Sequence, residues 1–410
     1  MTTKHMLAVA ALACGTIATA SADDVYLTGS SAFRGTVMKY LRDNTYNARA
    51  VFDKAPAANY ANFDGSSFII LSGNWGSASG QPITIYCAWT GSVGGIRDVS
   101  TSANVEYLKL PSDFTTDPDY LLDSSATGGK QASITKNAEG YLVPGANTAS
   151  HVPDFGFSDV FQNSTVYTGT ALNGSARAQS LAVLPFKWIA SNGASGSISN
   201  VTPQLAQTLF KTGNVSLAQF TGLNADAGKL VWALGRNNDS GTRLTAFSEM
   251  GLGAAAVVTQ WLPTLSGNNV NGYALQPDDG NFGYASGGDL ATALTKVTTA
   301  GDGATTGFSI GYLSVGDATS AITGGAVELS HNGVAFSIDN VKEGKYTFWC
   351  YEHVYDRGDL TAQNNKAQAG SLLSELRSNL PTAFTSDASK IRLSEMNCYR
   401  SSDGTTVFHN

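Results

Sequence analysis

Residues 236–247 read R-N-N-D-S-G-T-R-L-T-A-F: an arginine, a polar turn, then apolar residues at helical spacing. Two other stretches share this layout. L-T-G-S-S-A-F-R-G-T-V-M-K-Y-L (27–41) follows the short apolar run Val25–Tyr26–Leu27. T-G-S-V-G-G-I-R-D-V (90–99) follows T-I-Y-C-A-W. Each places Gly and hydroxyl residues directly before a predicted helix. A helix start carries unpaired N–H donors and partial positive charge. Neighbouring Ser or Thr hydroxyls add neutral donors, so such a start can hold an anion. Taken singly, Ser-Gly before a helix reads first as a cap. Three such starts, each after a strand, have a further meaning. In an open α/β sheet the carboxyl ends of the strands converge on one crevice.

P-D-F-G-F-S-D-V-F (153–161) adds a carboxylate, Asp159. Beside an anion a carboxylate repels, unless the anion still carries a proton that it can donate. Monohydrogen phosphate has such a proton and fully ionised sulfate does not, so Asp159 would discriminate between them. Arg236 would add fixed positive charge and a planar fork suited to oxyanion edges.

Other chemistries find little footing. A-T-G-G-K-Q (126–131) fails the phosphate-loop pattern, because Ser stands at 124 and Gln follows the Lys. D-S-G at 239–241 leads into a helical pattern and lacks nearby His. Only His151, His331, His353 and His409 lie beyond the N-terminal region, none in an H-E-x-x-H arrangement.

The elements around these motifs alternate between strand and helix, which predicts an α/β protein. S-F-I-I-L-S-G-N-W (67–75) and Q-P-I-T-I-Y-C-A-W (81–89) flank a Gly/Ser turn and read as a hairpin. S-L-A-V-L-P-F-K-W-I-A (180–190) suits a buried strand or crossover. T-P-Q-L-A-Q-T-L-F-K-T-G (202–213) is a helix with Thr202 as cap, Pro203 in the first turn and Gly213 at its end. D-L-A-T-A-L-T-K-V (289–297) is a second, with Asp289 as cap, and T-G-F-S-I-G-Y-L-S-V (306–315) is a strand. Residues 100–153 show little periodicity and read as a partly structured excursion.

Bulk properties set the compartment. Charged residues are 14% of 410, and the formal net charge is −7, so nothing draws the chain to nucleic acid. M-T-T-K-H, a short apolar stretch and A-S-A at 20–22 read as a secretory leader cleaved after Ala22. Three cysteines follow it, Cys87, Cys350 and Cys398. One disulfide is possible, with Cys350–Cys398 the expected pair, and three unpaired thiols are the alternative.

In order and content the motifs resemble the periplasmic phosphate-binding proteins of ABC importers, two-lobed type II solute-binding proteins. T-G-S-S, G-S-V-G-G, D-F-G-F-S-D and R-N-N-D-S-G-T carry the likeness across most of 25–355. The resemblance implies a phosphate site. Ser31 leads the first motif, with Ser30 and the Ala32 backbone beside it. Ser92 and the Gly94 N–H come from the second. Asp159 accepts the ligand proton and Arg236 pairs with its oxygens. Ser240, Gly241 and Thr242 donate from their helix start. It further implies two α/β lobes, each a mixed sheet flanked by helices: residues 23–182 plus 312–410, and 183–311, with 1–22 as signal peptide. Expected partners are inorganic phosphate and the importer's permease subunits. No enzyme activity, cofactor or metal is implied, and the state is monomeric. An exported phosphatase-like enzyme, or a surface protein that keeps the fold without transport, are the alternatives. Two departures stand out: the acidic residue beside the arginine is shifted to Asp239, and the excursion at 100–153 is long.

Overall fold

The computed structural model describes residues 23–122, 128–137, 140–301 and 306–410. The expected leader lies outside them. The first part of the chain forms β1 (Asp23–Gly29), α1 (Arg34–Asp43), β2 (Thr45–Phe52), the short α2 (Ala61–Asp64), β3 (Phe68–Trp75), β4 (Pro82–Ala88) and α3 (Ser92–Thr101). Then come β5 (Val105–Leu108), β6 (Lys130–Gln131), β7 (Thr148–His151) and β8 (Phe155–Ser158). The second part begins with β9 (Ala182–Ala190), β10 (Asn200–Val201), α4 (Pro203–Thr212), β11 (Asn214–Ser216), α5 (Ala218–Thr221), β12 (Leu230–Ala233) and α6 (Gly241–Glu249). It continues with the hairpin β13 (Trp261–Ser266) and β14 (Asn269–Leu275), α7 (Gly287–Leu294), β15 (Phe308–Ser314), α8 (Val315–Thr323), β16 (Val327–His331), α9 (Ile338–Lys342), β17 (Trp349–Asp356) and α10 (Ala367–Ala383).

Local chemistry explains several of these elements directly. The Thr202 hydroxyl accepts the Leu205 N–H at 3.2 Å, a cap of about 1 kcal/mol. Pro203 needs no N–H partner at the first helical position. Gly213 closes α4 at φ 80°, and Ala206, Leu209 and Phe210 face inward. The hairpin expected from the Gly/Ser turn forms, β3 pairing antiparallel with β4. α7 differs from expectation by three residues. Ser286 is its cap, accepting the Asp289 N–H at 3.1 Å, and Asp289 lies in the first turn. The Ser286 hydroxyl also donates to Asp289 Oδ2 at 2.7 Å, the acid suits the positive end of the helix, and Gly287 and Gly288 join its first turn.

The strands form one mixed sheet flanked by helices, in the order β11-β12-β15-β9-β17-β8-β1-β4-β3-β2-β6, with β10 and β16 attached beside β9. β1 runs parallel to β4 and β8, and β12 runs parallel to β15. The two halves meet at β9 and β17. β9 pairs through Ala182–Pro185 with β17 and through Phe186–Ala190 with β15. β17 pairs onward with β8. The expected boundary at 311/312 therefore falls inside β15. α8 stays with the second half, its Ala318 and Ala321 packing with Leu290, Leu294, Ile189 and Trp232.

The excursion at 100–153 has a physical role. The outer face of β1, β3 and β4 carries Tyr26, Ile70 and Tyr86. Tyr107, Phe114, Tyr120 and Leu142 cover it, and β5 and β7 pair antiparallel within the cover. All three cysteines are free and buried, so the expected Cys350–Cys398 bridge does not form. Cys350 lies against the Leu184 carbonyl and Cys398 against that of Val341. No helix among the described residues is long and apolar enough to cross a membrane.

Candidate functional site

The carboxyl ends of β1, β4 and β8 in one half, and of β12 and β15 in the other, carry all four sequence motifs. Three of the expected residues meet there closely. A methyl group on Gly241 would lie 1.5 Å from Asp159 Oδ1 and 2.6 Å from Ser92 Cβ. The start of α6 thus rests on the end of β8 and the start of α3. Asp159 is 1% exposed, and its Oδ1 has no hydrogen-bond partner. Burial pushes its carboxyl up to about 6, while the Ser92 hydroxyl and the Arg236 charge act the other way. An unpartnered buried carboxylate oxygen is costly, and a ligand O–H would satisfy it.

Ser240 caps α6, its hydroxyl oxygen accepting the Arg243 N–H at 3.2 Å. Its own proton remains available for donation. Thr242 is buried in the first turn. Arg236 follows β12 and is 4% exposed. Its Nε and Nη2 donate to the carbonyls of Tyr284 and Ala285 at 3.1 and 3.0 Å. These bonds hold the guanidinium plane in place. Asp317 is the leading charge acting on it, with Asp159 and Asp289 contributing.

Other expected donors are engaged differently. The Ser30 hydroxyl donates to Glu352 Oε2 at 3.1 Å. Ser31 and Ala32 are half-buried ahead of α1, whose first cap position is Phe33, with no side-chain cap. The N–H groups of Val93 and Gly94 donate to the Asp239 carbonyl at 3.0 and 3.4 Å. Asp239 also pairs with Arg97 at 2.8 Å. The displaced acid therefore links the β12–α6 loop to α3 across the crevice, and the Gly94 N–H is directed to it. Gly91 sits at φ 108°, and a side chain there would collide with the Asp239 carbonyl at 2.3 Å. Only glycine adopts this conformation freely.

Sequence reasoning missed Glu352, 0% exposed on β17, with Oε1 unpartnered. Burial, and secondarily Asp159, raise its carboxyl well above the usual range, and Ser30 opposes this. An acid inside the buried strand W-C-Y-E-H-V-Y-D was the available signal. Arg34 and Asp317 were missed as well. Among the described residues no group of three or more His, Cys, Asp and Glu side chains is arranged to hold a metal.

The buried acids set a pH dependence of stability. Burial raises Asp98, Asp159 and Asp403 to about 6 each, and Glu352 upward. A raised acid binds more protons folded than unfolded. Its contribution is complete below its unfolded value and is lost as pH rises through the folded one. His353 acts oppositely: burial lowers it to about 4, so it costs stability as pH falls from 6.5 towards that value. With the raised acids outnumbering the histidine, the Tm of the ligand-free protein is expected to be highest at about pH 4 and to fall as pH rises towards about 6 and beyond. Calorimetry at fixed ionic strength checks this, and Glu352→Gln should flatten the alkaline limb.

Neither a protein-family model nor a curated protein matches the sequence. Among solved structures the chain is similar to phosphate-binding proteins. An ABC-type phosphate transport receptor from Vibrio cholerae is 13% identical, covers 90% of this chain and 99% of its own, and gives a TM-score of 0.44. A phosphate-binding protein from Stenotrophomonas maltophilia is 12% identical, with 90% and 86% covered and a TM-score of 0.39. PstS from Borrelia burgdorferi is 11% identical, with 87% and 97% covered and a TM-score of 0.36.

Proposed function

We propose that the protein captures a protonated tetrahedral oxyanion, phosphate foremost, in the crevice between the two halves of the sheet. It does no chemistry on the anion and, as an exported protein, hands it to an importer in the membrane. The observation that carries this reading is the buried Asp159 Oδ1, without a partner and pressed against the start of α6. A proton acceptor at a helix N-terminus suits a ligand that is an anion and a proton donor at once. Ser92, Ser240, Thr242 and Arg236 supply donors around it. The histidines support binding over catalysis. His353 bonds the Gly174 carbonyl, His331 bonds Trp188 and Thr347, and His151 stacks on Tyr26.

Isothermal titration with phosphate, arsenate and sulfate tests the proposal. Phosphate and arsenate should bind and sulfate should be rejected; equal sulfate binding would sink the selectivity. Asp159→Asn places a donor where an acceptor stood. It should weaken phosphate about tenfold and admit sulfate, since an unpaired buried polar group costs ~1–3 kcal/mol. In the wild type, discrimination should narrow as pH falls through about 6, because protonated Asp159 becomes a donor too.

A further inference from the structure

We infer that Arg34 is a second guanidinium of the anion site, supplied from the half of the sheet opposite Arg236. The inference rests on the proposed oxyanion site and adds a residue to it.

Arg34 is the first residue of α1. A cation at a helix N-terminus opposes the macrodipole and disfavours the helix by ~0.3–1 kcal/mol. Its placement therefore asks for a compensating negative charge. The side chain lies along the crevice end of the sheet. Its Nη1 donates to Ser67 Oγ at 3.2 Å, and the Ser67 carbonyl accepts the Trp89 N–H at 2.8 Å, just beyond the end of β4. Its Nε is buried without a partner.

The charges around it come from both halves. Asp317 on α8, Asp53 after β2 and Arg236 after β12 all act on Arg34. Lys54 lies beside Asp53 and feels the Arg34 charge as well. Asp53 is already engaged. Its Oδ2 pairs with Lys136, and its Oδ1 accepts the N–H groups of Ser67 and Phe68. Asp317 takes the Ser314 hydroxyl at 2.8 Å and lies against Gly287 at the start of α7. Asp289 on α7 and Asp159 after β8 complete the set acting on Arg236. Two guanidiniums from opposite halves, both acted on by Asp317, flank a place where one anion can bridge them. Arg236 holds it from the second half and Arg34 from the first, so the same ligand draws the halves together.

The test is titration of phosphate at pH 8 into wild type, Arg34→Ala, Arg34→Lys and Arg236→Ala, each at several salt concentrations. Arg34→Ala should lose about 10- to 100-fold in affinity and show a shallower salt dependence, having one cation fewer. Arg34→Lys keeps the charge and loses the fork, so it should recover the salt dependence and part of the affinity. A purely structural Arg34 would leave the salt dependence of binding unchanged. Wild-type binding with Arg34→Ala within twofold of it, or with an unaltered salt dependence, overturns the role of Arg34 and leaves the oxyanion site standing. If Arg34→Ala does not fold, Arg34→Gln gives the same comparison. No phosphate binding by the wild type overturns both.

Discussion

Arg236→Ala is expected to abolish measurable oxyanion binding. Truncating one partner of a desolvated charge pair costs ~2–5 kcal/mol, a loss of roughly 30- to several-thousand-fold. Arg236 is 4% exposed, so water screens little of this. The change has a structural side too. The carbonyls of Tyr284 and Ala285 lose the donors that now reach them at 3.1 and 3.0 Å, and each buried acceptor left unpaired costs ~1–3 kcal/mol. Tm should therefore fall along with affinity. Arg236→Lys separates the two effects: it keeps the charge but cannot hold both carbonyls and an anion edge in one plane. Lysine should retain weak phosphate binding by titration, while alanine should retain none. Alanine binding phosphate within threefold of wild type would remove Arg236 from the site.

Gly241→Ala should be unusually damaging for a single added methyl. In an ordinary helix this change stabilises by ~1 kcal/mol. Here the methyl would stand 1.5 Å from Asp159 Oδ1 and 2.6 Å from Ser92 Cβ. Neither neighbour has room to withdraw, as both are nearly fully buried. The start of α6 must then lift off β8 and α3, and overpacking of this kind costs ~1–3 kcal/mol or more. Lifting also moves Ser240 and Thr242 away from Asp159 and out of register with a shared ligand, so phosphate affinity should fall by on the order of 100-fold. Gly228→Ala and Gly253→Ala are the controls, since a methyl at either meets nothing within 4 Å. Both should match wild type in Tm and affinity. A Gly241→Ala protein with wild-type Tm would show that the three elements do not meet as closely as described.

The elements legible in the sequence are those made by neighbours in the chain. Thr202, Pro203 and Gly213 bracket α4 because a cap, a missing N–H and a left-handed residue act within a few positions of each other. The hairpin β3–β4 forms across a short turn, and Ser240 caps α6 through a bond to Arg243 three residues on. Asp159, Ser92 and Gly241 were legible as a group for another reason. Each follows a strand: β4 and β8 run parallel and bring Ser92 and Asp159 to one edge, and β12 runs the opposite way in the other half, so its carboxyl end faces theirs.

What sequence could not supply are contacts between distant segments. Ser30 reads as a ligand donor until β17 brings Glu352 to it, 322 residues away. The Gly94 N–H reads as free until the β12–α6 loop brings the Asp239 carbonyl across the crevice. Cys350 and Cys398 share a compartment but face different carbonyls. The run 180–190 reads as a buried strand or crossover, and it takes β17 and β15 as partners from far along the chain. Periodicity reports which face of a strand is apolar, not which strand lies beside it. A cap's partner lies within one turn, so residue type and spacing alone select it. The partner of a buried Ser, Asp or Arg is whichever group the packed sheet leaves without water, and only the tertiary structure makes that choice.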